Sequence, residues 1–380
     1  MTRSDFILPP QYAAMADAEA SARIARRRSQ MGADLLILAH HYQRDEIVAH
    51  ADAVGDSLLL SRKAAQSAAR HIVFCGVHFM AESADVLTSP GQAVYLPDPR
   101  AGCTMSEMAD AEAVASAMDE LAEQTHRRIV PVTYVNSSAA VKAITGERGG
   151  ACCTSSNVRG VFEWALLPQS QGGAGGDIVL ALPDGNLGYN TAVAMGFAPG
   201  DCVTYDPALP RGGVEPAALE RCRFVLWKGF CYVHQRFTPE HVRQSRAHLP
   251  GVRVIVHPEC PPPVVALADA SGSTEQIIAA VAAAQPGSKW AIGTESNLVR
   301  RLARQFPDRT VAELSDAPSL CRQMNLLTPA RLLSTLDALA DGRGANRVVV
   351  PRAQRDAARL ALDRMLRVAP AKNLTQGVSQ

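Results

Sequence analysis

Leu35-Leu36-Ile37-Leu38-Ala39-His40-His41-Tyr42-Gln43 is the stretch from which the fold is read. An unbroken apolar run gives way at once to a run of polar side chains. Such a run suits a parallel strand covered by helices on both faces. The polar cluster then falls at the carboxyl end of the strand, where open α/β sheets place their ligands.

The same pattern continues outward from there. Gly55-Asp56-Ser57 opens a helix over 58–69, a strand follows over 72–76, and His78-Phe79-Met80-Ala81-Glu82 starts another helix. A strand over 93–96 runs into the loop carrying Cys103. The order then repeats. A strand over 129–135 presents Tyr134, Asn136 and Ser137, Thr154-Ser155-Ser156-Asn157 opens a helix over 158–166, and a strand over 178–182 leads to Pro183-Asp184-Gly185-Asn186-Leu187. A strand over 202–205 is followed, after a long insertion, by Cys231. In the third round a strand over 252–256 ends in His257-Pro258-Glu259-Cys260, and Gly272-Ser273-Thr274-Glu275 opens a helix over 276–284. Strands over 290–293 and 310–314 lead to Thr294-Glu295-Ser296-Asn297 and to Cys321.

Alternating strands and helices favour parallel sheets with helices on both faces. The expectation is an α/β chain of three small three-layer αβα domains with parallel sheets, arranged around a common centre. Their bounds are 1–118, including a helix over 10–31, then 119–235 and 236–321. The C-terminal helices of 322–380 are expected to pack on the first domain, with an amphipathic helix over 353–366 and a polar tail from Lys372. Residues 172–176, four of them glycine, read as a flexible surface loop, because a phosphate cradle would stand between a strand and a helix.

A chain of 380 residues with 47% hydrophobic content can bury several cores. Its net charge of +1 gives a nucleic-acid partner no electrostatic support. No apolar run is long enough to span a membrane, and the opening Met1-Thr2-Arg3-Ser4-Asp5 lacks a signal-peptide core, so a cytoplasmic protein is expected. Nine cysteines, an odd number without regular spacing, do not make a disulfide framework. In a reducing compartment they are buried hydrophobes, nucleophiles or metal ligands.

Taken alone, Phe230-Cys231-Tyr232-Val233-His234-Gln235 reads as an edge strand with a buried cysteine. Cys231 has counterparts, however, in Cys103 and Cys321, each in a loop after a strand-like run. Three remote cysteines in equivalent loops point to one shared metal centre, read here as an iron–sulfur cluster. Cys75, Cys202 and Cys222 lie in or beside apolar runs and read as core, and either of the adjacent Cys152 and Cys153 can be buried. Cys260 competes for the third ligand place. Cys321 is preferred because it follows the last strand of its unit, as Cys103 and Cys231 do in theirs, whereas Cys260 follows the first. Ser57, Ser155 and Ser273 stand at helix starts, where capping is their ordinary task. Three such termini in one site would also suit a small anionic substrate. His40, His234 and His257 stand near Tyr42, Tyr134 and Glu259, residue types able to move protons.

Taken together, Ala39-His40-His41-Tyr42-Gln43, Gly55-Asp56-Ser57, Cys75-Gly76-Val77-His78-Phe79-Met80-Ala81-Glu82, Tyr134-Val135-Asn136-Ser137, Thr154-Ser155-Ser156-Asn157, Pro183-Asp184-Gly185-Asn186-Leu187, Cys231-Tyr232-Val233-His234, His257-Pro258-Glu259-Cys260 and Cys321-Arg322-Gln323-Met324 resemble the quinolinate synthase family, in order from about residue 35 to 366. His41 stands where many members have asparagine, and the CxxCxxC arrangement some members carry around the third ligand is absent.

The resemblance implies pseudo-threefold-related domains around a central active site, with a [4Fe-4S] cluster held by Cys103, Cys231 and Cys321 and one iron open to substrate. It implies condensation of iminoaspartate with dihydroxyacetone phosphate to give quinolinate, phosphate and water, in NAD biosynthesis. It further implies functional coupling to the L-aspartate oxidase or dehydrogenase that supplies iminoaspartate. Carried over by motif, His40, Ser57, Asn136 and Ser155 bind the phosphate-bearing substrate. Tyr134, His257, Ser273 and Thr274 hold carboxylates, and Tyr42, Glu259 and His257 are the catalytic candidates. The competing expectations are a redox or oxygen-sensing iron–sulfur protein and a cluster-free phosphosugar enzyme.

Overall fold

The run Leu35–His40 is strand β1, and it is joined by β2 (Ala53–Gly55), β3 (His71–Cys75) and β4 (Ala93–Tyr95) in the parallel order β4-β3-β1-β2. Successive residues Ile37 and Leu38, and Ile72, Val73 and Phe74, are all buried, so both faces are covered and the apolar run needs no alternation. A second sheet contains β5 (Ile129–Tyr134), β6 (Ala151–Cys153), β7 (Ile178–Leu182), β8 (Cys202–Tyr205) and β9 (Phe224–Trp227), all parallel, in the order β6-β5-β7-β9-β8. A third holds β10 (Arg253–Val256), β11 (Ala270–Ser271), β12 (Lys289–Gly293) and β13 (Thr310–Glu313) in the parallel order β13-β12-β10-β11. Two short antiparallel strands complete the set, β14 (Arg347–Val348) on β4 and β15 (Thr375–Gln376) on β11.

This computed structural model describes residues 6–344, 346–368 and 375–376. Among these the strands form three five-stranded sheets. Without β8, β14 and β15, each sheet has the same four-strand order, which is the recurrence expected from the sequence. The chain divides into two compact units, one of Met1–Cys103 with Leu320–Arg352, the other of Thr104–Ser319 with Ala353–Gln380. The first unit holds the first sheet, and the second unit holds the other two.

One strand is reassigned. The sequence expectation has residues 202–205 leading to Cys231, but β8 is the added, half-exposed edge of its sheet. The strand that leads to Cys231 is the fully buried β9, hidden in a Pro/Gly-rich stretch that reads as an insertion. Phe230–Gln235 is not an edge strand either. Tyr232–Gln235 forms one helical turn, closed by the Gln235 amide on the Cys231 carbonyl at 2.8 Å. The N-terminal helix is also two, Pro10–Ala13 and Asp17–Met31, because the chain passes through an extended Ala16 that caps the second. Asp17 and Glu19 then stand in a first turn, where the helix dipole favours negative charge.

Within the first unit, helix Pro329–Ala340 packs on Asp17–Met31, burying Leu332, Leu333 and Leu336 with Ala20 and Ile24. Burying each leucine is worth about 1.5–3 kcal/mol. Asp337 ties the packing together, accepting from the Tyr12 hydroxyl at 2.9 Å, Arg23 at 2.9 Å and Arg27 at 2.6 Å. A second buried carboxylate, Asp98, anchors the loop toward Cys103 through Arg100 and Arg331, each at 2.8 Å.

Helix Arg352–Arg367 packs within the second unit. A Cβ on Gly146 would stand 1.9 Å from the Ala357 carbonyl oxygen, so only glycine admits that close crossing. The Asn157 amide donates to the Met365 carbonyl at 3.0 Å, fixing the far end. The C-terminal stretch thus divides between two packing sites, and the polar tail expected from Lys372 lies largely outside the described residues. The glycine loop at 172–176 is held rather than free. The Gly175 and Gly176 amides both donate at 2.8 Å, to the Leu167 and Ala165 carbonyls at the end of helix Val158–Leu166.

Candidate active site

In the second unit, the chain leaves β10 through His257-Pro258-Glu259, and the backbone itself sets the first side chain. The Glu259 amide donates to His257 Nδ1 at 3.3 Å, while His257 Nε2 meets Ser155 Oγ at 3.2 Å. Burial, with His234 beside it, pushes the His257 ring down to about 3, so the imidazole is neutral. Because Nδ1 already accepts, the proton resides on Nε2 and is donated to Ser155. Ser155 can then pass its own hydroxyl proton onward to a ligand.

Glu259 is buried and lies 2.6 Å from His234 Nδ1, and it accepts a hydrogen bond from the Tyr134 hydroxyl. Burial works to raise this carboxyl. The neighbouring histidines and the bonds from His234 and Tyr134 outweigh burial and hold it below its ordinary value. With His257 neutral, that holding falls to His234 and Tyr134. The two imidazoles stack at 4.4 Å, 15° from parallel, and His234 Nε2 reaches Thr294 Oγ1 at 3.1 Å, at the end of β12. Tyr134, Ser155, His257 and Glu259 are therefore brought together, as a connected polar network in a dry setting.

Two loops at the ends of β7 and β9 support this network. Asp184 caps helix Gly185–Ala194 through the Leu187 amide at 2.7 Å, and its second oxygen accepts the Cys231 amide at 3.2 Å. Burial, reinforced by Glu259, pushes the Asp184 carboxyl well up. The Gly185 amide donates to the Gly229 carbonyl at 2.9 Å, and a Cβ on Gly229 would stand 2.3 Å from the Pro183 oxygen. That close approach requires glycine. From the same helix, one turn apart, Asn186 donates to the Glu259 carbonyl at 3.2 Å, and Asn190 donates to those of Pro258 and Cys260, both at 2.8 Å. Two amides thus clamp the loop that carries His257 and Glu259.

The helix-start hydroxyls differ from one another. Ser273 is a plain N-cap, boxed with Gln276, and Thr274 beside it is buried. Ser57 is not the cap of its helix. Asp56 takes that place, accepting the Leu59 amide at 2.9 Å, so Ser57 begins the first turn. Ser155 lies in a turn closed by Asn157 Oδ1 on the Thr154 amide at 2.8 Å, and its hydroxyl meets His257. Asn136 follows β5 and is half-buried.

In the first unit, His40 closes β1 and is buried, and its Nδ1 accepts the Tyr42 amide at 3.2 Å. The two rings meet edge to face at 4.6 Å.

The cysteines sort by exposure. Cys75, Cys152, Cys153, Cys222 and Cys260 are buried, whereas Cys103, Cys202, Cys231 and Cys321 are half-buried. Burial pushes the thiols of Cys75, Cys152 and Cys202 up to about 12. Cys260 packs among Val254, Val256 and Val264 with its sulfur toward the Gly293 carbonyl, as a core residue. Cys103, Cys231 and Cys321 each follow the same strand of the shared order, β4, β9 and β13.

Thr294, Asp184, Asn186 and Asn190 emerge only from the structure as parts of the network, whereas His234 already stands among the histidine candidates of the sequence. His234 stands beside Cys231 in the sequence, and Asp184 and Asn186 stand in a motif shared with the family. Thr294 carries no signal beyond its place at a strand end.

Residues 22–367 match the model of the family described as quinolinate synthetase A protein, a span that includes all three parallel sheets. The chain belongs to the quinolinate synthase family. It is 47% identical to quinolinate synthase of Acidobacterium capsulatum over 94% of this chain and 95% of the relative. It is also 47% identical to that of Streptomyces coelicolor, over 94% and 90% of the two chains. To the Listeria monocytogenes enzyme it is 43% identical, over 95% and 97%. Family membership favours an enzyme of quinolinate synthesis over a redox or oxygen-sensing protein. Among the described residues, no helix is long and apolar enough to cross a membrane.

Proposed function

We propose that this chain is a quinolinate synthase that condenses iminoaspartate with dihydroxyacetone phosphate, releasing phosphate and water, in NAD biosynthesis. The observation that carries the reading is the family match from residue 22 to 367, together with 47% identity over 94% of the chain. In this reading the chain works in the cytoplasm, is coupled to an L-aspartate oxidase or dehydrogenase, and is built as three domains at 1–118, 119–235 and 236–321.

Cys103, Cys231 and Cys321 would hold a [4Fe-4S] cluster. Their half-buried thiols suit thiolate ligation better than the core sulfurs do, and their common position after equivalent strands supports the set. When bound, such a cluster supplies an iron with an open position that acts as a Lewis acid on a substrate oxygen.

The chain's own residues account for the remaining chemistry. Neutral His257 donates from Nε2, a fitting partner for a substrate carboxylate, and Ser155 extends that donation. Ser273 and Thr274 add hydroxyls and a helix N-terminus for carboxylate, with Tyr134 beside them in function. His40, Ser57, Asn136 and Ser155 bind the phosphate-bearing substrate. Glu259, kept ionised, is the base, and Tyr42 is the second proton-transfer group.

Anaerobic turnover of the reconstituted protein with both substrates, assayed for quinolinate, tests the reading. Quinolinate formed only when both are present is the expected result. Iron-replete protein that forms none would overturn it.

A further inference from the structure

Cys231, His234 and Glu259 offer one donor atom each, a sulfur, a ring nitrogen and a carboxylate oxygen, and these three atoms lie within 4.8 Å of one another. Cys231 and His234 belong to a single helical turn, where residues three apart share a side. Glu259 enters from the loop after β10.

The surroundings are those of a ligand set. Thr294 Oγ1 stands 3.1 Å from His234 Nε2 and can accept its proton, so loss of the proton between Nδ1 and Glu259, 2.6 Å apart, leaves Nδ1 able to bind a metal. The Tyr134 hydroxyl fixes the Glu259 carboxylate, and Asp184 fixes the Cys231 backbone. Metal-binding histidines and carboxylates are ordinarily oriented by such outer partners.

We propose that, in the cluster-free protein, these three side chains bind one divalent transition-metal ion, with zinc the ion they fit best. Sulfur, nitrogen and oxygen are all zinc donors, and three protein ligands with an open fourth place is a recurrent zinc arrangement. Zinc bond lengths set donor separations of roughly 3.3–3.8 Å, so the nitrogen–oxygen pair, 2.6 Å apart, opens to admit the ion, and the sulfur already lies within 4.8 Å of both. The ion takes the place of the proton shared by His234 and Glu259. Binding releases that proton and the thiol proton, leaving a thiolate, a neutral imidazole and a carboxylate. The loaded site carries no net charge, which removes the cost of burying an isolated ion. Because Cys231 cannot serve two centres at once, zinc occupancy and cluster loading exclude each other. The site needs neither Cys103 nor Cys321 and does not rest on the reaction proposed above.

Full-length protein freed of iron, titrated with Co2+ as a spectroscopic stand-in for zinc, tests this. One equivalent should bind, with a thiolate-to-cobalt band in the near ultraviolet and four-coordinate bands in the visible, all displaced by Zn2+. His234→Ala and Glu259→Gln should each weaken binding by about tenfold or more, and Cys231→Ser should remove the thiolate band. Cys103→Ser and Cys321→Ser should leave the spectrum unchanged. Glu259→Gln preserves shape, so it decides the matter if His234→Ala does not fold by circular dichroism. Undiminished cobalt binding in Glu259→Gln, or its loss in Cys103→Ser or Cys321→Ser, would overturn the site.

Discussion

Thr294 Oγ1 lies 3.1 Å from His234 Nε2, at the opposite end of the imidazole from the Nδ1 that meets Glu259. A hydroxyl at the end of one strand therefore fixes which nitrogen faces the carboxylate.

Thr294→Val keeps the shape and removes that bond, which is worth about 0.5–1.5 kcal/mol. Turnover should fall by about two- to tenfold at little-changed KM, while Thr294→Ser keeps near-normal turnover. Steady-state kinetics of both variants, compared at equal iron content, checks this. Equal losses in the two would mean that the methyl group matters and the hydroxyl does not.

Acid should weaken the fold in two overlapping stages. His257 is held down to about 3, so below roughly 6.5 the unfolded chain takes up a proton that the folded chain refuses. That contribution to stability is full above this range and is lost as pH falls toward 3, by up to about 1.4 kcal/mol per pH unit. Glu259 is lowered too, so its contribution is present above roughly 4.3 and drains as pH falls through its lower folded value. His257→Asn should flatten the decline between pH 6.5 and 5 in urea unfolding. An unchanged slope would assign the acid sensitivity to other groups, among them His50 and His71, which burial also lowers.

Cys103→Ser, Cys231→Ser and Cys321→Ser should each lose most bound iron after anaerobic reconstitution, because thiolate is the preferred cluster ligand. Cys260→Ser should retain it, its sulfur being enclosed by valines. Iron analysis and visible absorption read the outcome, and a Cys260→Ser protein without iron would reassign the third ligand.

Asn190→Leu removes both donors on the Pro258 and Cys260 carbonyls while keeping the branched outline of the side chain. Leaving buried acceptors unsatisfied costs about 1–3 kcal/mol each. A lowered melting temperature and a reduced turnover number should appear together, since the released loop carries His257 and Glu259. A fully active variant with lowered stability would reduce the clamp to a structural role.

The strands are legible in the sequence because their burial on both faces leaves an unbroken apolar run, as in Leu35–His40 and Ile178–Leu182. Phe224–Trp227 escapes because its Pro- and Gly-rich surroundings resemble an insertion. Ser57 reads as a cap because serine and aspartate cap equally well, and only the Asp56 bond to Leu59 decides between neighbours. Histidine, glutamate and tyrosine can be picked out as chemically able residues. Thr294 and Asn190 cannot, since their importance lies wholly in which atoms they face across the fold.

The shared strand order has a historical meaning. One four-strand order recurring three times among the described residues is what tandem duplication of a single unit would leave. His40 and His257 keep a common imprint, each accepting on Nδ1 the amide two residues ahead. The side chains at that second position have diverged, with Tyr42 in one copy and Glu259 in the other, while the second copy carries Tyr134-Val135-Asn136 at its strand end. An ancestor assembled from identical copies would have had to repeat every side chain around its site. Joining the copies into one chain freed each to diverge, so that a scaffold inherited in triplicate carries a different side chain at each equivalent strand end.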